Sequence, residues 1–393
     1  MTLAVKADDP AQSGSQQQTH GDFRGTGHGG GFPRREHPRS VYPPDDLAHN
    51  GAVTRTAATP TPPSLHTAWV ISDGAAGNER QALALAAALE VPARVLTLPL
   101  RAPWAWFAPR PIPGGRLALN ARDRAAFEAP WPDLAIGCGR SAGLLTRMLR
   151  RLSDGACYSV QILDPRIDPR HWDAVIAPSH DGLAGPNVLT PLGSLNPVDD
   201  IWLASGREAF PSFAALPRPR VALLLGGPRR GIEFDAALAA RLLATVRGIV
   251  AGGSVLATPS RRTPAAFSAQ LRTALADLPG TFWNAEGPNP YPGLLGWADA
   301  IVVTPDSVNM LSEACATGTP VYTAAAAPLP EKIARFHAGL RARGLLIDPG
   351  ATRGDVPPLR ETRAIAEELS KRIRARRSPP PGTAPTGPSL ENV

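Results

Sequence analysis

The sequence is poor in the residue that would make it a disulfide scaffold or a thiolate metal protein. Three cysteines stand in 393 residues, Cys138, Cys157 and Cys315, far apart and in no CxxC or Cys/His spacing. That excludes a disulfide framework and a zinc site and fits a reducing compartment. Long apolar runs are missing too: nothing approaches the ~20 residues that a membrane-spanning helix requires, and the mean hydropathy is -0.12. The opening MTLAVKADDP turns polar at once and has no apolar central segment, so no secretory signal is read. Acidic residues are in the minority, 34 against 41 Lys and Arg, for a net charge of +7 and a pI near 9.9. The surplus permits contact with anionic lipid, phosphorylated small molecules or nucleic acid. No nucleic-acid reader motif accompanies it, so nucleic acid is not an expected partner.

What is present suffices for two α/β units. Hydrophobic residues make up 43% of a chain long enough for two medium domains. Residues 1–65 and 378–393 stand apart, since GTGHGGGFPRREHPRS and SPPPGTAPTGPSLENV have no periodic apolar pattern to offset chain entropy. Both are read as disordered, and His20, His28 and His37 are given no metal role. Between them, TAWVISD (67–73), ARVLTLPL, DLAIGCG (133–139), YSVQILD (158–164) and DAVIAPS (173–179) read as buried parallel strands. NERQALALAAALE (78–90) and SAGLLTRMLRRL read as helices. Residues 204–219, broken by prolines, read as a linker. A second series follows, with strands RVALLLGG (220–227), GSVLATPS, GTFWNA, ADAIVVT (298–304) and PVYTA. Its last helix ends in the basic run KRIRARR (371–377), read either as a solvated helix end or as a contact for an anionic membrane or partner. The expected domains are therefore 66–203 and 220–377.

In open parallel sheets ligands bind beyond the carboxyl ends of strands, and every polar constellation falls there. SDGAAGNERQ (72–81) places Asp73 and Gly74 after a strand, Gly77 in the loop, Asn78 as a helix cap and Gln81 one turn in. GCGRSAG (137–143) is not GxGxxG, and no acidic residue ends the next strand at the distance a ribose-binding carboxylate requires; Asp164 comes late and precedes proline. Close packing is the better reading there, with Arg140 directed at the cleft. PSHDG (178–182) offers His180 or Asp181 as a general base, two neighbours expected to point apart. LLLGGPRRG (223–231) lets the Gly226 and Gly227 amides approach a phosphate beside Arg229 and Arg230. TPSRRTP (258–264) joins Ser260, Arg261, Arg262 and Thr263 at a helix N-terminus, an anion site. GPNPYPG (287–293) is a rigid turn presenting Asn289 and Tyr291. In VTPDSVNMLSEACATGTPVY (303–322), Asp306 or Ser307 caps a helix that Gly318 ends. Met310, Leu311, Ala314 and Cys315 form its buried stripe, and Glu313 is expected outside it. A diphosphate at that N-terminus would put its ribose within reach of Glu313, about 9 Å along the axis at ~1.5 Å per residue. Elsewhere, PLRAPWAWFAPRP (99–111) sets Trp104, Trp106 and Phe107 between arginines, the composition of an interfacial patch.

DSVNMLSEACATGTPVY resembles the donor half of GT-B glycosyltransferases such as the peptidoglycan N-acetylglucosaminyltransferase, in which a small-residue helix carries a ribose-binding glutamate. Motifs in one order from about 67 to 350 are closer still to one family. They are WVISDGAAGNERQALALAAAL, PDLAIGCGRSAG, ILDPR, APSHDG, PNVLTPLGSLN, LLLGGP, SRRTP and NPYPGLLGWADAIVVTPDSVNMLSEACATGTPVY. Together they resemble the mitochondrial-fission Elm-type family, named for the plant Elongated Mitochondria protein and widespread in bacteria. The one departure is NPYP, preceded here by Gly-Pro where the commoner pattern has an acidic residue.

The resemblance implies an α/β, GT-B-like architecture of two Rossmann-like domains with parallel sheets facing across a cleft. Its plant member is similar to a recruiter of dynamin-related fission machinery at the outer mitochondrial surface. The Ala-, Arg- and Pro-rich composition here fits a high-GC bacterium, where that role has no target. The expected activity is metal-independent sugar transfer from a nucleoside-diphosphate sugar, UDP-linked, with no further cofactor. Arg261, Arg262, Ser260 and the Gly226–Gly227 turn would hold the diphosphate and Glu313 the ribose; Thr263, Asn289, Asp306 and Ser307 complete the nucleotide-sugar site, and Tyr291 either packs against the base or covers the core. Asp73, His180 or Asp181 would act as base, with Gly74, Gly77, Asn78, Gln81 and Arg140 on the acceptor side. A sugar-nucleotide epimerase and a non-catalytic membrane-surface scaffold are the alternatives. The expected location is the cytoplasm, extended by the aromatic–arginine run to the inner membrane surface and a lipid-linked acceptor.

Overall fold

The computed structural model describes residues 65–325, 328–351 and 354–377. The segments read as disordered, 1–64 and 378–393, lie outside the described residues, as do the three histidines near the start.

Strands β1 (Ala68–Ser72), β2 (Ala93–Thr97), β3 (Leu134–Cys138), β4 (Tyr158–Ile162), β5 (Ala174–Ile176) and β6 (Val188–Leu189) form one sheet in the order β2-β1-β3-β4-β5-β6. Every pairing in it is parallel. Its helices are α1 (Ala76–Ala88), α2 (Trp104–Phe107), α3 (Ala121–Ala126) and α4 (Arg140–Leu152). After α5 (Asp200–Ala209), strands β7 (Arg220–Leu225), β8 (Ser254–Pro259), β9 (Gly280–Phe282), β10 (Ala300–Val303), β11 (Val321–Thr323) and β12 (Leu346–Ile347) form a second parallel sheet, ordered β12-β11-β10-β7-β8-β9. Its helices are α6 (Ala236–Val250), α7 (Ala265–Ala274), α8 (Tyr291–Trp297), α9 (Val308–Ala316) and α10 (Glu331–Ala342). The chain closes with α11 (Thr362–Arg377). This is the expected α/β architecture of two parallel sheets.

Strands covered on both faces must be apolar throughout, and β1, β3, β4 and β7 are buried at every position. In the first sheet, Val70, Ile136 and Val160 pack under Leu85 of α1, while Ile71 and Ala135 pack under Leu145 and Leu149 of α4. In the second, Leu223 and Val302 meet Leu242 of α6 and Phe267 of α7, while Leu224 and Ile301 meet Leu294 of α8 and Leu311 of α9. Strand order reverses between β1 and β3 and between β7 and β10, so each sheet has a switch point where adjacent loops diverge and a ligand can enter.

Two domain expectations change. Residues 204–219 are no free linker: α5, started by Asp199 accepting from Trp202 N at 2.7 Å, covers them to Ala209. It lies so close to α8 that a Cβ on Gly206 would stand 2.4 Å from Pro292 O. The second domain also ends before 377, because α11 returns to the first sheet and buries Ala366, Leu369 and Ile373 beside Leu85. Two arginines of the KRIRARR run serve that return. Arg376 pairs with Asp173 at 2.7 Å and Arg377 with Asp133 at 2.6 Å.

The two sheets' units meet where a short helical turn, Ser179–Asp181, lies on α10. His180 packs on Phe336 with ring centroids 5.0 Å apart. Next to Phe336, buried His337 donates from Nε2 to Pro305 O at 3.0 Å. Burial holds both imidazoles down to about 4, so both are neutral at pH 7. In the unfolded chain they take up protons from an ordinary value near 6.5. Stability is therefore lost as pH falls from 6.5 towards 4, because the unfolded state binds the extra protons. Thermal melts across that window should show a falling midpoint, and a shallower fall in His337→Gln. A slope unchanged by His337→Gln would contradict the assignment.

Candidate functional site

The second sheet's switch point gathers three strand-end loops. Gly226 N donates to Thr304 Oγ1 at 2.8 Å, and Gly226 O accepts from Ser260 Oγ at 2.8 Å and Thr263 Oγ1 at 2.5 Å. Gly227 N donates to Asp306 Oδ2 at 3.0 Å, and Thr304 Oγ1 donates to Asp306 Oδ1 at 2.7 Å. Arg262 Nη2 stands 3.3 Å from the same carboxylate, and Arg229 Nη1 donates to Asp306 O at 2.9 Å. Only glycine permits this approach: a Cβ on Gly226 would lie 2.3 Å from Asp306 Oδ1. Burial raises the Asp306 carboxyl above its usual range, against the lowering effect of the Gly227 amide, Thr304 and Arg262. Ser307, not Asp306, caps α9 by accepting from Met310 N at 3.3 Å. The sequence thus brings Gly226, Gly227, Ser260, Thr263 and Asp306 together, but they bond to one another. Arg229 and Arg262, which reach in to Asp306, and Arg230 and Arg261 surround them as exposed residues.

Glu313 corrects the sequence reading. It lies inside the buried set of α9, 3% exposed, with Leu311 to Ala316 all buried around it. A stripe drawn from α9 alone leaves Glu313 out because it ignores the groups that cover the helix from elsewhere. Arg80 Nη1 of α1 meets Glu313 Oε1 at 2.8 Å, and Tyr291 Oη donates to Oε2 at 2.5 Å. The Arg80 guanidinium also stands over the Tyr291 ring, 5.5 Å from its centroid. An ionised carboxylate this buried needs such partners. Tyr291 therefore turns to Glu313, and Asn289 accepts from Tyr291 N at 3.1 Å, shaping the start of α8.

The first sheet's switch point holds the loops on either side of Gly74 and Gly139. Asp73 Oδ1 accepts from Ala75 N at 3.0 Å, and α1 starts after Ala75 with no side-chain cap, so Asn78 is not the cap expected. Asn78 instead abuts Gly139, where a Cβ would stand 2.8 Å from Asn78 Nδ2. Gly77 meets Asn309 of α9 just as closely, 2.7 Å from Nδ2, and buried Gln81 donates to Asn309 Oδ1 at 3.4 Å. Arg140 does not face a cleft: its Nε donates to Ala108 O at 2.8 Å and its Nη2 to Trp106 O at 3.1 Å. Cys138 below is buried, and burial, then Asp73, push its thiol far up, leaving it inert.

His180 and Asp181 do not point apart. Their side chains approach to 3.5 Å, and Lys332 Nζ of α10 pairs with Asp181 Oδ1 at 2.5 Å. His180 O accepts from Arg335 Nη2 at 3.0 Å. Both candidate bases are thus built into the junction with α10. Sequence reasoning missed Arg80, Asn309, Lys332 and Arg335, which act across the two sheets. Arg80 stands inside the quoted SDGAAGNERQ loop-helix motif, and Asn309 opens the helix that carries Glu313. Among the described residues, no group of three or more His, Cys, Asp or Glu is placed to hold a metal ion.

Comparison with known proteins gives relatives along most of this core. Mitochondrial fission protein ELM1 of Arabidopsis thaliana is 34% identical over 284 residues, covering 64% of this chain and 66% of that protein. The match thus spans just under two thirds of the plant relative's length. An uncharacterized protein of Rickettsia prowazekii, RP120, is 25% identical over 295 residues, covering 65% of this chain and 82% of its own. Among solved structures, a UDP-GlcNAc 2-epimerase from Methanocaldococcus jannaschii overlays with a TM-score of 0.45 at 12% identity, covering 78% of this chain and 100% of that one. MurG from Acinetobacter baumannii overlays with a TM-score of 0.41 at 13% identity, covering 79% and 92%. The family described as Mitochondrial fission ELM1 matches residues 76–373, a span from α1 to α11 that leaves out only Asp73 and Gly74 of the candidate site, and the chain belongs to that family.

Proposed function

We propose that the carboxyl edge of the second sheet binds a UDP-linked sugar, and that the protein transfers the sugar without a metal. The observation that carries this is the convergence of three strand-end loops and four exposed arginines on one switch point, above a helix that bears Glu313. Arg229, Arg230, Arg261 and Arg262 would neutralise the diphosphate as it departs. The resemblance of DSVNMLSEACATGTPVY to the donor half of GT-B glycosyltransferases supports the same orientation. Glu313 would take the ribose hydroxyls once Arg80 lets go of it. Of the three candidate bases, Asp73 fits best: it is half-buried at the first sheet's switch point, while His180 and Asp181 are enclosed at α10. A base buried and held down to about 4 is a weak proton acceptor at neutral pH.

One observation favours a second reading, a non-catalytic binding module. Glu313, His180 and Asp181 all serve as struts between the two sheets' units, through Arg80, Arg335 and Lys332. In that reading the site residues are there for rigidity, and no sugar is turned over.

Titration calorimetry with UDP separates the two. The wild type should bind, and Glu313→Gln should weaken UDP about tenfold or more, the scale of a hydrogen bond to a charged group. Absence of UDP binding, or binding indifferent to Glu313→Gln, would remove the donor-site reading and leave the strut. Deuterium uptake into a bound UDP-sugar with no acceptor added would indicate epimerisation instead of transfer.

The arginine loops and the Arg80 strut give separate readouts. Arg261→Ala with Arg262→Ala should weaken UDP far more than uridine, because only the diphosphate meets them; equal losses would place these side chains elsewhere. Arg80→Ala should lower folding stability by about 1–3 kcal/mol, the cost of stranding a buried acceptor, while UDP affinity is kept or rises, since the pair no longer has to open. A variant as stable as the wild type in denaturant melts would show that the pair is not a strut.

A further inference from the structure

The loop between β2 and α3 is used by neither reading, and among the described residues it presents the largest apolar side chains left in water. Trp106 is 73% exposed, Phe107 51% and Leu117 50%. Soluble surfaces scatter such residues singly; a cluster held in one place marks an interaction site. The cluster is held. Arg140, from the first turn of α4, donates to Trp106 O at 3.1 Å and Ala108 O at 2.8 Å. Trp104 Nε1 donates to Pro113 O at 3.2 Å, and Arg101 N to Ala118 O at 2.8 Å, so the short α2 and the turn carrying Leu117 are stitched together. Gly114, at φ +75°, lets the chain turn between the Trp104 ring and Leu117, 3.4 and 3.5 Å from the place of its missing Cβ. The aromatics are thus set outward by backbone hydrogen bonds rather than left there by slack.

Along this stretch of the chain the charge has one sign. From residue 91 to 122 there is no Asp or Glu, while Arg94, Arg101, Arg110, Arg116 and Arg122 all fall in the stretch. Arg101, Arg110 and Arg116, nearest the aromatics, are exposed. Beside the patch opens a cavity of about 320 Å³ with Arg116, Arg124 and one carboxylate, Glu128, on its wall and Leu119, Phe127, Met148 and Leu152 giving apolar surface. Two cations against one carboxylate over an apolar floor leave a net positive rim that suits a phosphate head group with methylenes beneath it. A flat partner that is both apolar at depth and anionic at its surface is a phospholipid bilayer. Single-stranded nucleic acid would also meet aromatics and arginines, but it has no use for Leu117 or an aliphatic cavity.

We infer that the Trp106–Phe107–Leu117 patch docks the protein on an anionic phospholipid surface, the aromatics entering the interface and Arg101, Arg110 and Arg116 contacting head groups. Arg372, Arg376 and Arg377 of α11 are instead paired with Glu368, Asp173 and Asp133. The proposal is independent of the nucleotide site, and UDP binding is not needed for it.

Co-sedimentation of the full chain with phosphatidylcholine vesicles, with and without about one third phosphatidylglycerol, tests it. The wild type should bind the anionic vesicles and release at high salt, where the arginine contacts are screened. Trp106→Ala with Phe107→Ala should lower partitioning at least about tenfold, given the area two aromatics bury. Arg101→Glu with Arg116→Glu should abolish the preference for anionic lipid. These side chains lie in water, so unchanged circular dichroism and thermal midpoints are expected, and UDP affinity should not move. No vesicle binding, or binding indifferent to the aromatic variant, overturns the proposal. So does vesicle-free behaviour in which the aromatic variant instead loses binding to polyuridylate or loses a concentration-dependent dimer.

Discussion

A buried carboxylate shared between two sheets is the constraint on which the molecule's arrangement rests. Glu313 on α9 is accessible to neither water nor bulk cation, so its charge is tolerable only with a cation brought to it. That cation, Arg80, belongs to α1, 233 residues earlier in the chain. Tyr291 from α8 closes the other oxygen. The rest of the interface follows the same logic of satisfying groups that packing has hidden. Ser312, one residue before Glu313, accepts from Ser194 N at 2.9 Å. Glu361, just before α11, accepts from the Leu192 and Gly193 amides at 2.9 and 3.0 Å. Gly193 has no room for a side chain, since a Cβ would stand 2.7 Å from Ser312 Oγ. The two sheets are held in register by polar pairs whose loss would leave buried atoms unpaired, a steeper penalty than the loss of surface ion pairs.

The sheets were legible because a parallel strand covered on both faces is a continuous apolar run, and each such run found became a strand. What escaped was short or interrupted. β6 and β12 have two residues each, and α5 and α8 carry glycine or proline within the helix, so none has enough period to read. The strand-end loops of the candidate site were legible by position: Gly226, Gly227, Ser260, Thr263 and Asp306 do converge. Their partners were not. Helical periodicity within VNMLSEACA reports only what the helix offers, whereas Glu313 is buried by what α1 and α8 bring to it. Nothing local in a sequence encodes a contact across 233 residues.

The same limit explains the candidate bases. In a chain of two parallel sheets, the loops beyond the strands both surround ligands and touch the other unit. His180 and Asp181 satisfy the positional rule and are nonetheless spent on Lys332, Arg335 and Phe336. Position at a strand end raises the prior for chemistry, but burial and pairing decide it. Asp73 differs from them physically, as its recorded bond is a local turn to Ala75 rather than a tie to the second sheet.

Charge follows a parallel division. A net charge of +7 invites a reading as one basic surface, yet the arginines sort into separate uses. Arg376 and Arg377 at the end of α11 are drawn onto Asp173 and Asp133, which return the last helix to the first sheet. Those at β7 and β8 surround Asp306, an internal anion already in the company of amides, hydroxyls and a guanidinium. Those between residues 91 and 122 lie in a stretch with no Asp or Glu, and Arg101, Arg110 and Arg116 stand beside the exposed Trp106 and Phe107. Sequence alone ranks KRIRARR as the densest basic run, but density of charge is not availability of charge. A guanidinium already paired with aspartate contributes little field to a distant anion, while an exposed arginine with no compensating carboxylate nearby contributes nearly all of its own. The outward-acting positive charge therefore lies with Arg230 and Arg261 in the loops of the second sheet and with the aromatic loop of the first, and the functional readings divide along that line.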